Sequence, residues 1–119
     1  HVMAYDQGIP HAPFDGTVKQ LRHWESRKVP KAKLVIGLPF YGRNAQDATA
    51  TYAEIIRKHR PKPGADEADG FHFNGPTTIQ RKTAFAIQQG YAGVMIWELG
   101  QDAAGKSSLL NAIHAALPK

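Results

Sequence analysis

The stretch Tyr91-Ala92-Gly93-Val94-Met95-Ile96-Trp97-Glu98-Leu99-Gly100 holds four consecutive apolar residues, two of them β-branched, between a glycine and an acid. A run of that length and branching reads as a strand buried on both faces, as in a parallel sheet, and is too short for a core helix. The chain opens on an echo of it, Val2-Met3-Ala4-Tyr5-Asp6, in the same order of valine, methionine, small or apolar residue, aromatic and carboxylate. Side chains alternate along a strand, so Met3 and Tyr5 share one face, Met95 and Trp97 share one face, and Asp6 and Glu98 stand where their strands run out. An aromatic and a carboxylate at two strand ends point to a site.

Between these two strands the pattern alternates. Gly8 to Gly16, broken by Pro10 and Pro13, predicts a turn-rich loop. A helix is expected from about Thr17, with Val18, Leu21 and Trp24 on its inner stripe and Pro30 as its stop. Lys33 to Pro39 predicts the second buried strand, and Phe40-Tyr41-Gly42-Arg43 again sets aromatics and a charge at the C-terminal end. The excursion from Asn44 to Asn74 predicts a short helix over Tyr52 to His59 with Tyr52, Ile55 and Ile56 inward, a turn at Pro61 to Gly64, and a short surface strand at Phe71 to Phe73. Connections this long are commonly functional. Pro76 opens a helix with Ile79, Thr83, Ala86 and Ile87 inward, closed by Gly90. Ser107 or Ser108 caps a last helix whose inner residues are Leu109, Leu110, Ile113, Ala116 and Leu117.

The order is β-α-β-loop-α-β-α with parallel strands, an α/β class that fits an open doubly wound sheet or part of an eight-stranded barrel. Spacing alone does not choose between them. In both, function gathers at the strand C-termini, where Asp6, Tyr41, Arg43, Trp97 and Glu98 meet.

Composition bounds the reading. A chain of 119 residues, 42% hydrophobic and 21% charged, is an ordinary globular domain or part of one. It starts at His1-Val2 inside a strand, without a methionine, and reads as a piece of something longer. The absence of cysteine removes disulfides and thiolate metal sites. The six histidines show no ligand spacing, so neither a metal nor another cofactor is expected. The net charge of +5 is spread over scattered lysines and arginines, which speaks for a solvated basic surface and against a nucleic-acid partner. No apolar run reaches the ~18 residues of a membrane span.

Three motifs in this order, Val2-Met3-Ala4-Tyr5-Asp6, Lys33-Leu34-Val35-Ile36-Gly37-Leu38-Pro39-Phe40-Tyr41-Gly42-Arg43 and Gly93-Val94-Met95-Ile96-Trp97-Glu98, resemble strands six, seven and eight of the family 18 glycoside hydrolases, the chitinases and endo-β-N-acetylglucosaminidases. The resemblance extends over nearly the whole chain. It implies that residues 1–119 are the C-terminal three βα units of a TIM (β/α)8 barrel, an incomplete catalytic domain. It further implies substrate-assisted hydrolysis of β-1,4-linked N-acetylglucosamine polymers, in which the substrate's own acetamido group is the nucleophile. Tyr5 would then hold the acetamido oxygen and Asp6 would hydrogen-bond the sugar at the cleavage subsite. Trp97 would be the floor under the ring, Met3 would lie beneath the acetamido group, and Tyr41 and Arg43 would line subsites; the role of Glu98 stays open. The family's substrates are largely extracellular, which implies secretion.

The family's catalytic signature, Asp-x-x-Asp-x-Asp-x-Glu on strand four, has no match here. The nearest acidic run, Asp66-Glu67-Ala68-Asp69, has the wrong spacing. The general acid therefore belongs to another part of the barrel, or the chain is a non-catalytic sugar-binding relative. Three other readings compete. Tyr5 and Trp97 as core caps, with Asp6 and Glu98 as N-cap or turn acids, form the structural alternative. Asp6 and Glu98 as the acid and base of an inverting pair form the second. Gly100-Gln101-Asp102-Ala103-Ala104-Gly105-Lys106-Ser107 matches the phosphate-binding loop pattern between a strand and a helix, but only 12 residues follow it. Such a unit normally begins a nucleotide-binding domain, although the helix N-terminus that follows has some anion affinity in its own right. With both faces of its sheet apolar and its edges open, the chain is expected to pair with the remainder of a barrel or with copies of itself.

Overall fold

A computed structural model describes all residues, 1–119. Helix α1, Phe14–Ser26, begins three residues earlier than the periodicity predicts, directly after Pro13, and places Asp15 in its first turn against the positive end of the helix. Its buried residues are Thr17 and Leu21, and Glu25, four further on, receives the hydroxyl of Tyr91. The inner stripe thus runs 17, 21, 25 instead of 18, 21, 24. Trp24, expected inward, is 43% exposed with its ring edge-on to that of His23.

A 3-10 turn takes up Lys31–Lys33, so strand β1 is shorter than predicted, Val35–Pro39. β2 is Tyr41–Arg43, β3 Thr49–Thr51, α2 Tyr52–His59, β4 Glu67–Ala68, β5 Phe71–His72, α3 Pro76–Gln89, β6 Gly93–Trp97 and α4 Leu109–Ala116. β1 and β6 pair in parallel, from Val35 opposite Gly93 to Pro39 opposite Trp97. The opening segment, expected as a full third strand, makes one parallel bridge, Val2 to Ile36. The Val2 amide donates to Val35 at 2.7 Å and the Val2 carbonyl accepts from Gly37 at 2.8 Å. The carbonyl also accepts from Ala4 at 3.0 Å, so the backbone curls out of the ladder at once. No strand of this chain lies on its far side to hold it extended. Gly37 permits the close crossing, since a Cβ there would lie 2.8 Å from Cε1 of Tyr5 and 3.0 Å from the Val2 carbonyl.

The excursion is more ordered than its sequence suggested. β2, β3, β4 and β5 form a second, antiparallel sheet in the order β3-β2-β5-β4. β5 answers to the short strand expected at Phe71 to Phe73, whereas β4, two residues long, is too short for a period-2 pattern to register. α2 buries Tyr52 and Ile55 as predicted and starts on a reciprocal cap, the Glu54 amide to the Thr51 hydroxyl and the Thr51 amide to the Glu54 carboxylate. Basic residues do gather here: Arg57, Lys58 and His59 occupy its last turn, where they offset the negative end of the helix.

α3 buries Ile79, Thr83 and Ala86 as expected, together with Lys82, while Ile87 is 40% exposed. Gly90 is itself the C-cap, in the left-handed conformation at φ 77°. In α4 the N-cap is Ser108, and Leu109, Ala112 and Ile113 are buried. Leu110 and Leu117, predicted inward, are exposed, because the buried stripe steps by three and four from Leu109.

The phosphate-loop pattern does not build a phosphate site. Leu99–Gln101 and Gly105–Ser107 are separate 3-10 turns, and the carboxylate of Asp102 between them accepts from the amides of Leu109 and Leu110 at 2.7 and 3.1 Å and from the Ser108 hydroxyl at 2.8 Å. A carboxylate already fills the place that an anion would take at the start of α4, and it would repel one. The main core lies between the β1–β6 sheet and the helices, with Leu21, Ile36, Leu38, Phe40, Ile79 and Leu109 fully buried.

Candidate active site

The C-terminal ends of β1 and β6 and the end of the opening segment meet at one rim, and β2 continues β1 past Phe40 to that rim. Tyr41 and Arg43 are two apart on β2 and so point to the same side. Both reach Asp6. The Tyr41 hydroxyl donates to Oδ2 at 2.7 Å, and Nη1 of Arg43 lies 2.8 Å from Oδ1. Nη2 of Arg43 holds Asp47 at 2.8 Å, so the guanidinium is clamped between two carboxylates. Asp6 has φ 60°, a left-handed conformation that side chains other than glycine rarely adopt, and its amide donates to Nδ1 of His11 at 3.3 Å.

The electrostatics follow from these contacts. Partial burial works to raise the Asp6 carboxyl, but the guanidinium of Arg43 and the hydroxyl of Tyr41 outweigh it and hold Asp6 below the ordinary carboxylate range. Burial, and then the Asp6 carboxylate, push the Tyr41 phenol well up, so it remains a donor. The Tyr5 phenol is raised by the same two causes. Burial pulls His11 down to about 4, and the ring is neutral near pH 7. Since its Nδ1 accepts, the proton is assigned to Nε2, in the direction of the Tyr41 backbone.

Tyr5 is 8% exposed and stands edge-on to Tyr41, ring centroids 6.2 Å apart at 84°. Trp97, at the end of β6, is 57% exposed and does not cap the core of this chain. It shares with Asp6, Tyr41 and Arg43 an open cavity of about 340 Å³, whose other lining includes Thr49, Thr51, Glu54 and Gln101. Those four went unnoticed in the sequence, which marks the excursion as functional but not the residues that reach the site.

Three sequence-predicted residues lie outside this cavity: Met3, Glu98, and Tyr5, which packs behind it against Tyr41. Met3 is 58% exposed and Glu98 is exposed. The backbone of Glu98 is engaged in the turn that follows β6: its carbonyl accepts from Gln101 at 3.0 Å and its amide donates to the Gln101 side chain at 3.1 Å. The backbone of Glu98 thus belongs to that turn, and the residue does not face Asp6 across the cavity as an inverting pair would require. No group of three His, Asp or Glu side chains stands close enough to hold a metal ion, and no helix is long and apolar enough to cross a membrane.

An ionised, hydrogen-bonded carboxylate beside an exposed indole and a ring of hydroxyl, amide and guanidinium groups suits a neutral, hydroxyl-rich ring: the indole offers a stacking face and the polar groups directed hydrogen bonds. Comparison with known proteins finds relatives of this chain. The chain is 30% identical over 128 residues to Chitinase C of Streptomyces lividans, covering 85% of this chain and 20% of that protein. It superposes on the GH18 chitinase ChiB of Flavobacterium johnsoniae with a TM-score of 0.87 at 35% identity, over 96% of this chain and 40% of that one. For a chitinase from Bacteroides thetaiotaomicron the TM-score is 0.85 at 32% identity, over 93% and 42% of the two chains. The chain thus spans less than half the length of each of these proteins. The family described as glycosyl hydrolases family 18 matches residues 1–102. With that match over most of its length, and an α/β fold shared with the barrels of family 18 chitinases, this chain belongs to the family 18 glycosyl hydrolases.

Proposed function

We propose that this chain forms the C-terminal three βα units, strands six to eight, of a chitinase-like barrel that cleaves β-1,4-linked N-acetylglucosamine polymers by substrate-assisted, retaining hydrolysis. The carrying observation is the cluster of Asp6, Tyr41 and Arg43 in one cavity with the exposed Trp97. In this reading an acid on another part of the barrel protonates the glycosidic oxygen. The acetamido oxygen of the substrate attacks the anomeric carbon as that bond breaks, and water opens the resulting oxazolinium ion while the conjugate base of the acid takes its proton. The residues of this chain position. The Tyr5 hydroxyl donates to the acetamido oxygen, and Trp97 is the floor under the sugar ring. Asp6, kept ionised by Arg43 and Tyr41, accepts a hydrogen bond from the sugar at the cleavage subsite and is not itself the acid. Met3 is assigned to the acetamido pocket and becomes enclosed only when neighbouring strands are added. Tyr41 and Arg43 hold Asp6 and line the subsite.

The test is hydrolysis of N-acetylglucosamine oligosaccharides by this chain alone and by the barrel completed with N-terminal units that carry the strand-four acid. The completed barrel should release products with retained anomeric configuration, read by proton NMR at early times. The chain alone should release none, since loss of a general acid costs about 10²–10⁴-fold even in an otherwise intact site. Inverted products, or turnover by the chain alone, would overturn the reading.

A further inference from the structure

The cluster around Asp6 leaves one side chain without a role, His11. Its side chain is fully buried, its Nδ1 accepts from the Asp6 amide at 3.3 Å and lies 3.7 Å from Asp6 Oδ1, and its ring packs against Tyr41 with centroids 5.0 Å apart. The backbone beside it is fixed from the opposite side of the molecule. The Ala12 carbonyl accepts from Nζ of Lys82 at 2.7 Å and from Nδ2 of Asn74 at 3.0 Å, and Nζ of Lys82 also meets Oδ1 of Asn74 at 2.7 Å. Lys82 on α3 and Asn74 before it are both buried, so this is an internal tie and not a surface contact. It pins the loop between Asp6 and α1 at the residue next to His11, and Ala12 there takes φ 55°.

We propose that His11 is a positioning residue for the hydrolytic reaction, holding the left-handed backbone of Asp6 through its unprotonated Nδ1, with Lys82 and Asn74 fixing His11 through the Ala12 carbonyl. The proposal rests on the functional reading given above. The chemistry asks for an acceptor at Nδ1: a ring protonated there would set its N–H donor against the donor of the Asp6 amide, and an apolar ring would leave that amide bare. Asp6 in turn is the anchor for Tyr41 and Arg43, so a shift of its backbone moves three site residues together.

The experiment compares His11→Phe with His11→Asn in the completed barrel. Phenylalanine keeps the ring and loses the acceptor; asparagine loses the ring but places Oδ1 near the position of Nδ1. A positioning role predicts that His11→Phe lowers kcat on the order of 10²-fold with KM little changed, the scale of a misplaced reacting group, and that His11→Asn recovers most of that loss. A role in filling space predicts the reverse order, and His11→Asn falling as far as or below His11→Phe would overturn the proposal. If the unaltered barrel cleaves nothing, the functional reading fails and the Asp6 amide decides separately. Faster hydrogen exchange in His11→Phe but not in His11→Asn supports the tie, and equal protection in both defeats it. If His11→Phe does not fold, the nitrogen shifts of His11 in the unaltered protein decide: an unprotonated Nδ1 with a protonated Nε2 supports the proposal, and the opposite tautomer overturns it.

Discussion

Tyr5 and Trp97 are separated by burial before they are separated by chemistry. Tyr5, 8% exposed against Tyr41, can present little more than its hydroxyl, whereas Trp97, 57% exposed, presents a ring face. A hydroxyl aimed at an acetamido oxygen matters most as that oxygen attacks, so Tyr5→Phe in the completed barrel should lower kcat more than it raises KM. A stacking floor supports substrate and transition state alike, so Trp97→Ala should act mainly on KM. Steady-state kinetics on oligosaccharides check the pair, and equal rises in KM alone for both variants would contradict it. Tyr5, Asp6, Tyr41, Arg43 and Trp97 were legible in the sequence because each ends an apolar run. His11 was not, since a lone histidine in a Gly- and Pro-rich loop carries no periodic signal. Lys82 had a signal that went unused: it lies between Ile79 and Ala86 on the inward stripe of α3, where a lysine has to be buried and satisfied.

At the scale of elements, α3 does more than cover the sheet. Burial pulls Lys82 from the ordinary 10.5 down to about 7, with Asp66 opposing the shift. Between those values the unfolded chain binds more protons at this position than the folded one, so folding stability contributed here is full above pH 10.5 and is lost as pH falls toward 7. The slope from one such group is at most about 1.4 kcal/mol per pH unit. Denaturation of the wild type followed by tryptophan fluorescence should therefore show stability rising from pH 7 to 9, and Lys82→Met should flatten that rise. The same slope in both proteins would mean that Lys82 titrates as an ordinary surface lysine. The helix boundaries were legible where a cap or a breaker marks them, as at Pro76 and Ser108. Of the second sheet only β5 was legible, as the short strand expected at Phe71 to Phe73; β3 and β4 were not, because strands of two or three residues are defined by their partners more than by their own pattern.

At the scale of the whole molecule, the parallel sheet ends on β6 at one side and on the single Val2 bridge at the other. Met3, Trp97 and Leu99 are each more than half exposed, and Ile9 is 44% exposed. Open edges and exposed apolar side chains favour association. The isolated chain, 13.1 kDa, should accordingly sediment as dimers or larger species at micromolar concentration. A sharply melting monomer in sedimentation velocity would show that the edges are tolerated in water.

The sequence by itself determined the alternation of strands and amphipathic helices from β1 onward and the parallel direction of β1 and β6, though β6, read as buried on both faces, is only half-buried here. It also determined the residues that stand at the strand ends, because apolar periodicity, caps and breakers are local properties of neighbouring residues. Tertiary structure alone decided which of those residues meet. Tyr41 and Arg43 join Asp6 from 35 and 37 positions away in the chain, and Glu98, one residue from Trp97, turns aside into its own 3-10 turn. It also decided that the Gly-Lys-Ser pattern would be a capped turn and not a phosphate cradle, since the carboxylate of Asp102 already satisfies the amides at the start of α4. Contacts between residues distant in the chain depend on how elements stack, and no local pattern encodes that.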